Sequence, residues 1–130
     1  MAVNIVNVTT INGITTGYTP SGTGAVVLLP NASGSAQVFK IDQITVTNLT
    51  SSAATATVYY YSNGAVAQGS TPAGGAIVAY NCYQVSVPPN ASLVVSDKTQ
   101  AFYLVDGNSI AIQSGTGSAL SYLTSYELIS

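Results

Sequence analysis

The sequence predicts an all-β protein: an antiparallel two-sheet β-sandwich, jelly-roll or immunoglobulin-like, built from about nine short strands. Three observations predict it. The helix formers Glu, Lys, Arg and Met are scarce, while Val, Ile, Thr and Tyr are abundant and alternate with polar residues. Turn signals interrupt the apolar runs often enough to keep each run at strand length.

Taken in order, Val3 to Val8 is the first candidate strand. Asn12 to Gly24 is rich in Gly, Thr, Ser and Pro and reads as a flexible loop, so residues 1–24 form a strand and an arm of the domain whose sandwich is residues 25–130. Ala25 to Leu29 follows. In Ala36 to Leu49 the apolar phase shifts, with Phe39 and Ile41 on one parity and Ile44 and Val46 on the other, which predicts a β-bulge near Asp42 and Gln43. Ala54 to Tyr61 ends in three tyrosines, and strand geometry sends Tyr59 and Tyr61 to one face and Tyr60 to the other.

Asn63-Gly64 carries a hairpin signal, and Gln68 to Gly75 reads as a second flexible loop. Ala76 to Val87 turns Ile77, Ala79, Tyr83, Val85 and Val87 inward, leaves Gln84 and Ser86 outward, and is stopped by Pro88-Pro89. Ser92 to Ser96 and Thr99 to Val105 are short strands between which Asp97-Lys98 is expected to reverse the chain. Asp106-Gly107 suits a type I′ hairpin into Asn108 to Ser114, and the Gly-rich Ser114 to Ser118 a hairpin loop into Leu120 to Ile129. In that last strand Leu120, Tyr122, Tyr126 and Leu128 face the core while Ser121, Ser125 and Glu127 face solvent.

The chain of 130 residues has six charged side chains, Lys40, Asp42, Asp97, Lys98, Asp106 and Glu127, with no histidine and no arginine. Proton transfer and metal chemistry have little to build on, so the expectation is no enzyme, no catalytic residues and no cofactor. A formal charge of −2 with only two lysines argues against nucleic acid as a partner. No run approaches the ~20 apolar residues of a membrane helix, and the first residues lack the pattern of a secretory signal, so the expected site of synthesis is the cytoplasm. Cys82 is the sole cysteine, which rules out an intrachain disulfide and suits a small buried apolar side chain.

Few motifs carry chemistry. Asp97 and Asp106 could form a carboxylate pair for calcium or acid–base work if the fold joined them, but Asp at a turn more often bonds its own backbone. Four N-x-S/T matches, at Asn7, Asn31, Asn48 and Asn90, have no secretory signal to make them glycosylation sites. Tyrosine is the functional group in excess, nine residues against two Phe and no Trp, and Tyr59 and Tyr61 are the candidate interface residues.

The segments Ile5-Val6-Asn7-Val8-Thr9-Thr10-Ile11-Asn12-Gly13, Val38-Phe39-Lys40-Ile41 leading to Ile44-Thr45-Val46 and Asn48, Val87-Pro88-Pro89-Asn90-Ala91-Ser92-Leu93-Val94-Val95, Tyr103-Leu104-Val105-Asp106-Gly107-Asn108-Ser109-Ile110 and Ser125-Tyr126-Glu127-Leu128-Ile129-Ser130 carry a resemblance. Through them the chain resembles small β-rich virion structural proteins of tailed bacteriophages, of the cyanophage type. The resemblance implies a particle component located in the virion. The expected role is capsid decoration or cement, with the major capsid protein and copies of itself, as a trimer, for partners. The alternative is a tail, neck or baseplate component that binds a receptor or glycan, with Tyr59 and Tyr61 as stacking platforms.

Overall fold

The computed structural model describes residues 8–62, 65–72 and 79–130. Nine strands occur among the described residues: β1 (Ile11–Tyr18), β2 (Val26–Pro30), β3 (Val38–Asn48), β4 (Ala54–Tyr61), β5 (Ala79–Val87), β6 (Ser92–Ser96), β7 (Phe102–Leu104), β8 (Ser109–Ser114) and β9 (Leu120–Ile129). They form two antiparallel sheets. The first has the order β1-β9-β3, with β6 and β7 both on the outer edge of β3; the second has the order β2-β8-β4-β5.

The pairing is nested. β1 pairs with β9, β2 with β8, β3 with β6 and β7, and β4 with β5. The chain therefore doubles back once, between β4 and β5, and the resulting two-stranded ribbon rolls up until β3 meets β9 and β4 meets β8. With β6 and β7 counted as one interrupted strand, this is the eight-stranded jelly roll. All its connections but two, β4 to β5 and β6 to β7, pass from one sheet to the other.

That topology corrects several expectations. Asn12 to Gly24 is not a loop throughout: Ile11–Tyr18 pairs along its whole length with β9, from Ile11 opposite Ile129 to Tyr18 opposite Tyr122. Ile14 and Tyr18 pack on the core and outweigh Asn12, Gly13 and Gly17 in the same strand. The candidate strand Val3 to Val8 lies outside the described residues up to its last position, as do Asn63-Gly64 and Ile77. The part of the second loop at Gln68 to Ser70 is pinned to β2. Gly69 N donates to Val27 O at 2.8 Å, and Gln68 Nε2 donates to Leu28 O at 2.9 Å.

Asp97-Lys98 does not reverse the chain, because β6 and β7 run the same way along one edge of β3 with a 3-10 turn at Lys98–Gln100 between them. Neither Asp106-Gly107 nor Ser114 to Ser118 closes a hairpin, since the strands on either side of each belong to different sheets. At Asp106-Gly107 the positive φ falls on Gly107 alone, at 84°, where a type I′ turn requires two.

The bulge predicted in β3 is present: against β9 the register jumps from Ile41 opposite Tyr126 to Gln43 opposite Ser125, leaving Asp42 unpaired. The core between the sheets is built from Leu28, Ile41, Ile44, Val58, Ile110, Ile112 and Leu120, with Tyr122 wholly enclosed among them. Each such aliphatic side chain contributes roughly 1.5–3 kcal/mol by leaving water. The inward set Leu120, Tyr122, Tyr126 and Leu128 packs on this core as the alternation requires, and Glu127 lies on the outer face.

Candidate interface

Strict alternation along β4 sends Ala54, Ala56, Val58 and Tyr60 toward the core and Thr55, Thr57, Tyr59 and Tyr61 to the outer face of the second sheet. Tyr60 is half-buried and packs against the core. Its hydroxyl donates to Tyr103 O at 3.1 Å and accepts from Asn108 Nδ2 at 2.9 Å, and its ring meets Phe102 edge-on at 6.2 Å. Tyr59 and Tyr61 are half-buried neighbours, with ring centroids 6.1 Å apart and planes inclined by 44°.

A chain of amide and hydroxyl bonds positions the first of them. Tyr59 Oη donates to Gln113 Oε1 at 2.8 Å, and Gln113 Nε2 donates to Thr23 O at 2.9 Å, so the ring is tied through β8 to the segment before β2. Beside it lies an open groove of about 460 Å³ lined by Thr23, Thr55, Thr57, Tyr59, Gln84 and Gln113. Every group on this lining is neutral: an aromatic ring, two amides and hydroxyls. Such a wall offers ring stacking and hydrogen bonds, and no general acid or base near neutral pH.

Charge is segregated between the two sheets. β2, β4, β5 and β8 contain no Asp, Glu, Lys or Arg. Lys40 and Asp42 in β3, Glu127 in β9, and Asp97 and Lys98 at the break between β6 and β7 all belong to the first sheet or its edge. Lys40 and Glu127 stand opposite each other in the register and approach to 3.7 Å with both side chains partly exposed. The sixth charge, Asp106, lies in the turn between β7 and β8.

Asp97 and Asp106 do not share a site. Asp97 caps the 3-10 turn, where its Oδ1 accepts from the hydroxyl and the N–H of Thr99; these two bonds hold its carboxyl below the ordinary carboxylate range. It shares a cleft with Asp42. Cys82, expected to be a small buried apolar side chain, is half-covered: it is the extra residue where the β4–β5 register jumps between Val58 and Tyr59. Burial there pushes its thiol pKa up, which keeps it protonated at neutral pH.

Asn31 and Asn48 also gain a role. Both are buried and fully engaged: Asn31 Nδ2 donates to Gln37 O and Leu104 O, and Asn48 Nδ2 to Ser52 O and Val87 O. These are clasps between the sheets and offer nothing to a glycosyl group. The residues that sequence reasoning missed at the interface are Gln84 and Gln113, whose only signal was an outward parity shared with many polar residues. Compared with known proteins, the chain matches no family model, and no curated protein sequence matches it significantly.

Proposed function

We propose that this protein is a structural component of a phage particle, a decoration or cement protein that binds the assembled shell through the outer face of its second sheet. One observation carries the reading: the four strands of that sheet have no charged residue, and they present Tyr59, Tyr61, Gln84 and Gln113 beside a neutral groove. Docking such a face strips no ion of its water, and interface cores are depleted in charge and enriched in tyrosine. The charged sheet is then left toward solvent. The resemblance to virion proteins supports the same reading, as does the jelly roll, an architecture shared by viral capsid and lectin domains. Contacts with copies of itself, as a trimer around a symmetry axis, would add to binding at the shell alone.

The test places a lysine on each face in turn. Gln84→Lys on the neutral sheet should abolish attachment to stripped shells, while Leu123→Lys on the exposed outer face of the first sheet should preserve it. Stripped shells should also fail at a lower temperature than complete ones. Equal failure temperatures, or attachment that ignores Gln84→Lys, would refute the reading.

A second reading has its own observation. Tyr59 with two amides and three threonine hydroxyls around a groove is the chemistry that recognises a neutral sugar, as a tail or baseplate receptor module requires. Copy number by quantitative mass spectrometry of intact particles separates the two, hundreds for a cement protein and a handful for a tail tip. Binding on a glycan array that is lost in Tyr61→Ala would favour the sugar.

A further inference from the structure

We infer that the open side of the sandwich, where the edges of β5 and β6 face each other, is the surface through which this chain pairs with a second copy of itself about a two-fold axis. A two-sheet sandwich leaves main-chain N–H and C=O groups unpaired at the edges of its sheets, and those edges are where another chain can add. On the side formed by β1 and β2 the chain covers its own edges. Val27 N donates to Ser70 O at 2.9 Å and Gly69 N to Val27 O at 2.8 Å, while Gln68 Nε2 donates to Leu28 O and, at 3.1 Å, to Thr16 Oγ1 of β1. Gly69 lies so close to Tyr18 that a Cβ on it would stand 2.7 Å from the phenol oxygen. Residues 68–70 are thus a strap across that side.

The opposite side carries no such strap among the described residues. β5 pairs with β4 on one side and with no described strand on the other. Between β5 and β6 runs a groove of about 200 Å³ lined by Tyr83, Gln84, Val85, Leu93, Val94 and Val95. Tyr83, Val85, Leu93 and Val95 pack on the core yet are only partly buried, so this seam leaves core side chains open to water. Tyr83 Oη donates across it to Ser96 Oγ at 3.3 Å. Tyr80, Val94 and Tyr103, on β5, β6 and β7, are 62%, 56% and 55% exposed. Apolar surface gathered at an unpaired sheet edge marks an interaction site.

Two features make the occupant a second copy. A two-fold axis brings each residue near its own counterpart, so a charged edge repels itself; β5 and β6 contain no charged residue, and neither does the groove between them. With the β1–β2 side strapped, the seam of one copy meets the same seam on the other, which is an isologous contact that closes at two chains. The edge of the first sheet is broken at the 3-10 turn Lys98–Gln100 and carries Asp97 and Lys98 there, which leaves β5 as the longer continuous edge. The extra residue Cys82 kinks its first half, so pairing falls on residues 83–87. There β5 against its counterpart would join the two second sheets through main-chain bonds and cover Tyr83 and Val85.

The experiment is sedimentation equilibrium of the full chain over a concentration series, with hydrogen exchange read in parallel. Wild type should have the mass of two chains, and amides among residues 83–87 should gain protection as concentration rises. Val94→Lys and Ser86→Lys, at exposed positions on the two strands of the seam, set like charges together across the axis and should each weaken dimerisation at least about tenfold; Ile11→Lys, exposed on β1, should leave it within about twofold. The mass of six chains, two trimers joined through this contact, supports the proposal if Val94→Lys reduces it to three. A monomer at every concentration overturns it and leaves the seam to an extended segment of another protein. The mass of three chains for wild type overturns it as well, because a two-fold contact cannot close at three, and so does an effect of Ile11→Lys equal to that of Val94→Lys.

Discussion

The side-chain amide of Asn48, at the end of β3, donates a hydrogen bond of 3.0 Å to the carbonyl of Val87, at the end of β5 in the opposite sheet. Its second N–H donates to Ser52 O at 2.8 Å, and its Oδ1 accepts from Thr50 N and Oγ1. At the other end of β3, Asn31 makes the corresponding link to Leu104. The sandwich is thus held at both ends of its longest strand by a buried amide whose valences are filled.

Removing that amide strands its partners. Asn48→Ala leaves the Val87 carbonyl without its side-chain donor and the Thr50 N–H without its side-chain acceptor, and each such loss costs about 1–3 kcal/mol, whereas Ser52 O keeps the Thr50 hydroxyl. The expected destabilisation is roughly 2–4 kcal/mol in urea unfolding, with Asn31→Ala similar. Asn12→Ala, at an exposed position of β1, should change stability by less than about 0.5 kcal/mol. Equal effects at the three positions would refute the clasp.

β1 owes its place to a close approach. A Cβ on Gly17 would lie 2.9 Å from Tyr122 O and 3.2 Å from Leu123 Cδ1, whereas one on Gly13 meets nothing within 4 Å. The carbonyl belongs to the β9 backbone and cannot swing aside. Gly17→Ala should therefore cost about 1–3 kcal/mol by pushing the edge strand off β9, while Gly13→Ala on the same strand should fall within about 0.5 kcal/mol of wild type. Chemical denaturation of the two variants side by side distinguishes them.

Lys40 and Glu127 face each other across β3 and β9, but both side chains are 36% exposed, so solvent screens most of their attraction. A double-mutant cycle to Ser at each position should give a coupling of about 0.2–1 kcal/mol that fades in about 1 M salt. A coupling above about 2 kcal/mol, or one indifferent to salt, would contradict this account.

Much of the fold was legible because period-two alternation is a local property. The phase shift around Asp42 announced the bulge, β6 was delimited to the residue, and the division of Tyr59, Tyr60 and Tyr61 between two faces followed from strand geometry alone. The order of strands was not legible. In a nested roll the partner of β1 is β9, more than a hundred residues away, and no local pattern records that. The same nesting explains why turn chemistry at Gly107 was read as a hairpin: the residue types report a chain reversal, and they are silent on whether the next strand joins the same sheet. For the sites, the neutral face around Tyr59 could be anticipated, whereas the open seam between β5 and β6 depends on which strands end at the edges of the two sheets.

Tyr122 sets the alkaline limit of the fold. Its side chain is 1% exposed, its hydroxyl donates to Gln113 O at 2.7 Å, and burial pushes its pKa from 10.0 up to about 12. Burial raises the pKa of Tyr126 as well. A phenol whose pKa is raised by folding adds no pH dependence below the unfolded value, because both states are then protonated. Above pH 10 the unfolded chain loses its proton first, so the stability associated with Tyr122 declines from pH 10 to about 12, a loss of roughly 2–3 kcal/mol. Tyr122→Phe removes the titrating group while leaving the ring. At pH 7 it should be less stable by about 1–2 kcal/mol, since the Gln113 carbonyl loses its donor. Its decline above pH 10 should be shallower than that of wild type, so the two curves converge as pH rises. Urea midpoints at pH 7, 10 and 11 measure this, and parallel curves would show that the buried phenol is not the group that titrates.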